Sequence, residues 1–328
     1  MSGKIAITGG AGFIGAYLTK RFASAGYQVL VIDNFVRGVP ERLANLENVE
    51  LQAVDILKPE DLKNALVGCK AVFHLAAING TENFYSIPDK ILEVGVKGMF
   101  NVMDACFANG IKELVIASSA EAYQAPDNIP TPETETLKVP DPSNPRYSYG
   151  ASKLISEVIA MNFYRDHFTK LQIFRPHNIY AGDMGTKHVI PQFIMRAIEL
   201  AEQTEGTIQF PMQGDGSETR AFCYVDDLIE AFWTMYHKGG HREIYHLGNP
   251  EEVTIAEVAR QVFTCLGRPF EFVHQPVTFG SVTRRCPDIS KIAALGYTPA
   301  VNLLDGIRRT YDWYSQNKEK SISSNPLI

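Results

Sequence analysis

Ser119, Tyr149 and Lys153 are the residues of this chain whose types and spacing could move a proton at an alcohol oxygen. The apolar pattern predicts a helix from Ser148 to His167, so Tyr149 and Lys153, four residues apart, project from one helical face. An ammonium beside a phenol favours the phenolate. Lys153 is therefore expected to lower the Tyr149 pKa toward the working pH and prepare it for proton transfer at an alcohol oxygen, that of a sugar among them. Ser119, at the end of the preceding strand, would hydrogen-bond the same oxygen. Glu121 adds a carboxylate that serves either as a base or as an acceptor for a substrate hydroxyl.

A second constellation points to a nucleotide. The segment Thr8-Gly9-Gly10-Ala11-Gly12-Phe13-Ile14-Gly15 lies between an apolar strand and a helical pattern. Its glycines Gly9, Gly12 and Gly15 let the backbone approach a pyrophosphate. The N–H groups at the head of the helix, around Phe13 and Ile14, face the anion. Asp33 ends the second strand, where a carboxylate accepts from a ribose 2′-OH and repels a 2′-phosphate, which predicts NAD rather than NADP. Asn34 follows it, and Arg37 is the one nearby feature that favours NADP. Asp55 and Ile56 end the third strand, where they would meet adenine. Leu75, Ala76 and Ala77 end the fourth and let the cofactor pass close, and Ser118 ends the fifth.

These groups need a scaffold that brings strand ends together. Apolar runs at Lys4 to Thr8, Gln28 to Ile32, Val49 to Val54, Ala71 to Leu75, Glu113 to Ala117 and Leu171 to Phe174 alternate with helical patterns starting near Ile14 and at Pro59 to Leu66, Ile91 to Ala108 and Ser148 to His167. This alternation predicts an α/β fold, a Rossmann doubly wound parallel sheet covered on both faces, with a smaller C-terminal substrate-binding domain. The NAD-binding domain is expected over residues 1–178, with segments near 217–247 returning to it, and the substrate-binding domain over 179–328. In the latter, 186–206, 252–267 and 301–317 read as helices, and Ile208 to Met212 and Phe270 to Val273 as short strands. Between Gln124 and Pro145 six prolines exclude a helix or central strand, which leaves a long ordered loop or lid.

Composition sets the class. The 328 residues are 45% hydrophobic and 21% charged with a net charge of −6, the proportions of a globular protein and the wrong sign for holding nucleic acid. No apolar run reaches the roughly 18 residues of a membrane span, and MSGKIAITGG enters a strand pattern at once, so a cytoplasmic protein without membrane association is expected. The five cysteines, Cys69, Cys106, Cys223, Cys265 and Cys286, have neither CxxC nor zinc-ligand spacing, which predicts free thiols and no metal.

Taken together, the chain resembles an extended short-chain dehydrogenase/reductase of the NAD-dependent nucleotide-sugar epimerase/dehydratase family. The resemblance rests on TGGAGFIG (8–15), Asp33, HLAA (74–77), SSAEAY (118–123), YGASK (149–153), RPHNIYAGD (175–183), GDGSETRAFCYVDDL (214–228) and RRCPDISK (284–291). It implies a tightly held NAD reduced and reoxidised within one turnover, and a nucleoside-diphosphate sugar as substrate. Tyr149 then takes the hydroxyl proton while hydride leaves the same carbon, assisted by Lys153 and Ser119. Asn178 matches a position that meets the sugar nucleotide, and Arg220 a diphosphate-binding arginine, with Arg284 or Arg285 as a second clamp. Ser119, Ala120 and Glu121 would line the sugar pocket. A homodimer follows, because in this family the helices equivalent to 91–108 and 148–167 form a four-helix bundle between subunits. Two departures stand out: Gly95 where the family often has Asn, and Ala181-Gly182-Asp183 after Tyr180 where many members, reading RxxNxYGP, continue from that Tyr with Gly-Pro.

The ketone formed by this oxidation opens three routes. A 4-epimerase needs only Tyr149, Lys153 and Ser119, with Glu121 binding a hydroxyl, and is the leading expectation. A dehydratase, or an epimerase with base chemistry beside the ketone, would use Glu121 as base, although Ala120 stands where dehydratases have an acidic aspartate. A UDP-glucuronate-type decarboxylase would also use Glu121. In a different class, the chain is an NAD-binding regulatory module without catalysis.

Overall fold

The computed structural model describes residues 3–276 and 283–318. Its strands are Lys4–Thr8 (β1), Gln28–Asp33 (β2), Val49–Ala53 (β3), Ala71–His74 (β4), Glu113–Ala117 (β5), Lys170–Pro176 (β6), Ile179–Tyr180 (β7), Ile208–Gln213 (β8), Thr219–Ala221 (β9), Cys223–Tyr224 (β10), Glu243–Leu247 (β11), Glu252–Thr254 (β12), Phe270–Gln275 (β13) and Arg284–Arg285 (β14). The helices are Phe13–Ser24 (α1), Pro59–Ala65 (α2), Thr81–Ser86 (α3), Pro88–Leu92 (α4), Gly98–Ala108 (α5), Ser148–Asn162 (α6), Val189–Gln203 (α7), Val225–Lys238 (α8), Ile255–Leu266 (α9), Ser290–Ala293 (α10) and Leu303–Gln316 (α11).

A seven-stranded sheet in the order β11-β6-β5-β4-β1-β2-β3 carries the site. All its neighbours pair in parallel. This is the doubly wound arrangement that the sequence rhythm predicts. Successive β1 residues face opposite layers, with Ile5 and Ile7 in one apolar cluster and Ala6 in the other. Such two-sided burial is why these strands read as continuous apolar runs. The strand order reverses between β1 and β4, and the crevice at that reversal, beyond the carboxyl ends of the strands, is where such sheets take ligands.

One face is closed by α1 and α8, whose aromatic rings meet around Phe22. Its centroid lies 4.9 Å from that of Phe73, 6.0 Å from Phe232 and 5.6 Å from Tyr236. The same buried cluster continues without a break to Phe193, Phe210 and Phe263 of the C-terminal segments. Leu62, Met99, Val102, Met103, Ile159 and Ala160 from α2, α5 and α6 close the other face.

Two expected helices differ from the pattern. The run from Ile91 to Ala108 contains a π-helical turn, Glu93–Lys97, between α4 and α5. Gly95 in that turn packs on α6 so closely that a Cβ would stand 2.7 Å from the Ser152 Cβ. The helix from Ser148 ends at Asn162 rather than at His167. Phe163 and Tyr164 turn back onto α5, where their rings meet Phe100 and Phe107, and the Tyr164 hydroxyl donates to Asp104 at 2.7 Å. The proline-rich loop is held to the 286–288 segment: Thr131 N–H donates to the Cys286 carbonyl and Asp288 N–H to that of Thr131, both at 2.8 Å. Among the described residues no helix is long and apolar enough to cross a membrane. The five thiols are free and four of them are buried.

Phe22 is fully buried where α1, α8 and β4 converge. Phe22→Ala should therefore destabilise the protein by about 3–5 kcal/mol, read as a lower denaturant midpoint in chemical unfolding. A midpoint shift worth less than about 1 kcal/mol would mean that this aromatic cluster is not the joint holding α1 to the sheet.

Candidate functional site

The glycine turn joins β1 to α1 with almost no free space. Gly9 has φ +71°, and a Cβ there would stand 2.8 Å from the Ala76 nitrogen; a Cβ on Gly15 would stand 2.1 Å from the Gly9 carbonyl oxygen. Gly12 caps α1 without any side-chain hydrogen bond, and the first turn of α1 carries no acidic residue. The N–H groups around Phe13 and Ile14 thus form an uncapped, partially positive terminus of the kind that accepts a phosphate. Leu75, Ala76 and Ala77 lie across from it at the end of β4, which supplies the close wall.

At the next strand end Asp33 is buried. Its Oδ2 accepts from Ala11 N–H at 3.1 Å and its Oδ1 from Phe35 N–H at 2.9 Å. Burial raises its pKa, while those two N–H groups and Arg42 act in the opposite direction. A carboxylate has about four acceptor positions, so two remain for ribose hydroxyls. Asn34 and Asp55 come together, with Asn34 Nδ2 donating to Asp55 Oδ2 at 3.2 Å; Asp55 also caps the following turn through Leu57 N–H at 2.9 Å. The Ile56 side chain packs into the core and its carbonyl accepts from Asn101 at 2.8 Å, which leaves only its N–H for a ligand. This groove fits a dinucleotide with a free 2′-hydroxyl.

The chemical residues assemble beyond β5. Ser119 caps a short 3₁₀ turn over Ala120–Tyr123, accepting from Glu121 N–H at 3.1 Å, and its side chain lies close enough to Tyr149 to act against the rise of the phenol's pKa. The Tyr149 ring is stacked on Phe84 at 5.3 Å. Lys153 Nζ lies 5.7 Å from the centre of that ring and donates to the Ala117 carbonyl at 2.8 Å. The expected lowering of the phenol does not occur in this state. Burial pushes Tyr149 up to about 12, against the opposing influence of Ser119, and pushes Lys153 down to about 8, against the nearby Glu157 carboxylate. Desolvation dominates because both groups are almost completely enclosed, and the ammonium is bound to a carbonyl rather than to the phenol.

Glu121 is held between two arginines. Arg285 Nη1 lies 2.7 Å from Oε1 and Arg146 Nη1 3.5 Å from Oε2. Burial alone would raise this carboxyl, but the two guanidinium groups hold it below the usual range. Arg220 belongs to the same cluster. Burial lowers its pKa, the Arg285 charge lowers it further, and it donates to the Thr219 carbonyl at 2.7 Å.

Other expected residues are turned elsewhere. The Ser118 hydroxyl points inward and donates to Glu157. Arg284 pairs at the surface with Glu252 at 2.6 Å, on the far side of β14 from Arg285, so it forms no second clamp. Asn178 has φ +43°, and its Nδ2 donates to the Ala221 carbonyl at 2.8 Å, which fixes the β7 and β10 pairing. Asp183, in the segment that departs from the family pattern, pairs with Arg42 at 2.5 Å and thereby joins the substrate side to the glycine turn, since Arg42 also donates to the Ala11 carbonyl. Sequence reasoning missed Arg146 and Phe84. Arg146 lies three residues before Tyr149, a spacing that would have flagged it for the same face.

Residues 5–248 match the model of the NAD dependent epimerase/dehydratase family. The UDP-N-acetyl-alpha-D-glucosaminuronate decarboxylase of Bacillus cytotoxicus is 29% identical, over 96% of this chain and 99% of its own. Among solved structures, the dTDP-glucose 4,6-dehydratase DesIV of Streptomyces venezuelae, with NAD bound, superposes with a TM-score of 0.84 at 26% identity, over 98% of this chain and 100% of that one. The UDP-glucose 4-epimerase of Thermotoga maritima, with UDP-glucose, gives 0.83 at 27%, over 96% and 99%.

The buried Lys153 makes a pH prediction whose sign is fixed by its depressed value. Folding penalises the ammonium fully below about pH 8, and the penalty fades as pH rises toward the ordinary lysine value of 10.5. Protein stripped of cofactor should therefore gain stability relative to Lys153→Met between pH 8 and 10, measured as the difference in urea midpoints. A constant difference over that range would show that Lys153 does not titrate there.

Proposed function

The chain belongs to the NAD-dependent epimerase/dehydratase family, and within it we propose that this enzyme oxidises the C4 hydroxyl of a nucleoside diphosphate uronate, releases carbon dioxide from the resulting 4-ketone and reduces the ketone again. The observation that carries this reading is the Glu121 cluster: Arg146 and Arg285 bring two positive charges against one negative beside Tyr149, a surplus suited to a sugar carboxylate. The similarity to a decarboxylase of a nucleotide uronate supports it.

NAD, held by the glycine turn and Asp33, would supply a hydride acceptor that can return the same hydride. The chain's residues handle the proton and the charge. Tyr149 would take the C4 hydroxyl proton as a phenolate, the form that the positive charge of a bound oxidised nicotinamide favours over the neutral phenol of the cofactor-free site, and Ser119 beside it would order the same oxygen. The 4-ketone lies β to the C6 carboxylate, so the C5–C6 bond breaks with its electron pair passing into the C4 enolate while carbon dioxide leaves. Ser119 and Tyr149 then face the oxygen on which negative charge develops. C5 takes a proton, hydride returns to C4, and Tyr149 gives its proton back to the oxygen.

Glu121, kept ionised by its two arginines, is a weak base and a good acceptor. Decarboxylation of the 4-ketone needs no base beside it, so Glu121 is proposed to accept from a sugar hydroxyl instead of acting as the base, which disfavours the dehydratase and the epimerase with base chemistry beside the ketone. Simple 4-epimerisation stays as a second reading, since it needs no base beyond Tyr149, and the likeness to the Thermotoga epimerase supports it. The segments after Tyr180 are proposed as those that select the nucleotide. A homodimer is proposed through α5 and α6, where Phe100, Phe107, Ile155 and Val158 are exposed on adjoining faces.

Incubation with NAD and UDP-glucuronate should release carbon dioxide and a pentose nucleotide, seen by mass spectrometry; inversion at C4 with the carboxylate retained would favour the epimerase reading instead. Tyr149→Phe should cost about a hundredfold or more in turnover with NAD binding kept, and a near-normal rate would remove Tyr149 from the mechanism. Arg285→Ala should raise KM for a uronate more than for the matching neutral sugar, and equal effects on both would remove the carboxylate assignment. Sedimentation at micromolar concentration should show a dimer, and a monomer alone would contradict the α5 and α6 interface.

A further inference from the structure

Arg37 stands apart from the arginines around Glu121. It follows β2 by four residues, and its Nη1 donates to the Asn79 carbonyl, beyond β4, at 2.6 Å. In the sheet β1 lies between β2 and β4. A contact from the loop after β2 to the loop after β4 therefore passes over the carboxyl end of β1, where the glycine turn feeds α1.

Both banks of this crossing are built. On the β2 side, Val36 N–H donates to the Asn34 side chain at 3.2 Å and Val39 N–H to the Ala11 carbonyl at 2.9 Å. Gly38 permits the fold-back, because a Cβ there would stand 2.6 Å from Asp33 Oδ1. On the β4 side, the Asn79 carbonyl also accepts from Asn83 Nδ2 at 2.9 Å, and the Asn79 side chain accepts from Gly80 N–H at 2.7 Å. The guanidinium has five donors, and those not bound to Asn79 have no acceptor among the described residues. Its charge acts on Tyr149 and on His188, whereas the cation that acts on Asp33 is Arg42. An arginine reading a ribose 2′-phosphate would stand beside Asp33, and this one has crossed to the opposite bank.

We propose that Arg37 and Asn79 form a strap over the head of α1, in which the Arg37 guanidinium clamps the diphosphate of the bound dinucleotide from the side opposite the glycine-turn N–H groups. The planar fork of a guanidinium donates two parallel bonds to phosphate oxygens, so the anion is gripped from both sides. Such a grip slows release of a cofactor that is reduced and reoxidised in place. The inference rests on NAD being the cofactor and is independent of which reaction follows the ketone. The same chemistry would fit the diphosphate of the sugar nucleotide, and the test separates the two.

The test measures affinities of Arg37→Ala and Arg37→Lys for NAD, NADP, ADP-ribose and UDP, and the rate at which the holoenzyme loses NAD. The proposal expects Arg37→Ala to release NAD about tenfold faster or more, to weaken ADP-ribose alongside it, and to leave both the NAD/NADP ratio and UDP affinity unchanged. Arg37→Lys should fall between, since it keeps the charge and loses the fork. The exposed side chain makes loss of folding an unexpected result, and Arg37→Gln, which removes the charge with less change of shape, repeats the measurement independently. Unchanged NAD release would overturn the proposal. So would a loss confined to NADP, which would make Arg37 a 2′-phosphate reader, or a loss confined to UDP, which would assign it to the substrate.

Discussion

The geometry of the site hangs on one buried ion pair. Glu157 on α6 and Arg175 on β6 are both almost wholly enclosed, joined by Nε to Oε1 at 2.8 Å and Nη2 to Oε2 at 2.6 Å. Breaking such a pair leaves an uncompensated charge in the interior, so neither residue can move alone. Every hydrogen bond that Glu157 accepts beyond Arg175 fixes something the chemistry uses. Its Oε1 takes the Ser118 hydroxyl, which sets the end of β5 and hence the direction of Ser119. Its charge lies one helical turn from Lys153 and supports the ammonium against desolvation.

From Arg175 the same network runs outward to the substrate side. Arg175 also donates to the Tyr123 hydroxyl and to the Glu133 carbonyl, the Tyr123 hydroxyl meets His246 Nε2 at 2.6 Å, and the other His246 nitrogen meets the Asp288 carbonyl at 2.9 Å. The proline-rich loop and the segment bearing Arg285 are thereby referred to the same frame as Tyr149. This explains how Arg285, far along the chain, arrives beside Glu121 with a bond length of 2.7 Å. Placement comes from the ion pair, and chemistry comes from the groups it leaves facing the cleft.

What could be read in the sequence follows from the range of the forces involved. The strands around β1 and the glycine turn were legible because parallel-sheet burial imprints continuous apolar runs, and because a Gly9 or Gly15 side chain would collide with neighbouring backbone. Ser118 and Ser119 were not separable by type, since only the alternation of a strand decides that one turns inward to Glu157 and the other outward to Tyr149. The end of α6 was overestimated because Phe163 and Tyr164 continue the apolar pattern after the chain has turned back. The pairing of Glu121 with Arg146 and Arg285 has no local signature, as its partners are brought together by the loop and by β14. Arg37 was visible as a charge near Asp33, but only the strand order shows which way it reaches.

In the proposed reaction one hydride leaves C4 and returns to it while C5 exchanges its carboxylate for hydrogen. The direct test is to run the reaction on UDP-glucuronate in deuterated water and locate deuterium in the product by NMR. One deuterium is expected at C5, where carbon dioxide has left, with the original hydrogen retained at C4. Deuterium at C4, or its absence from C5 in a decarboxylated product, would contradict that reaction.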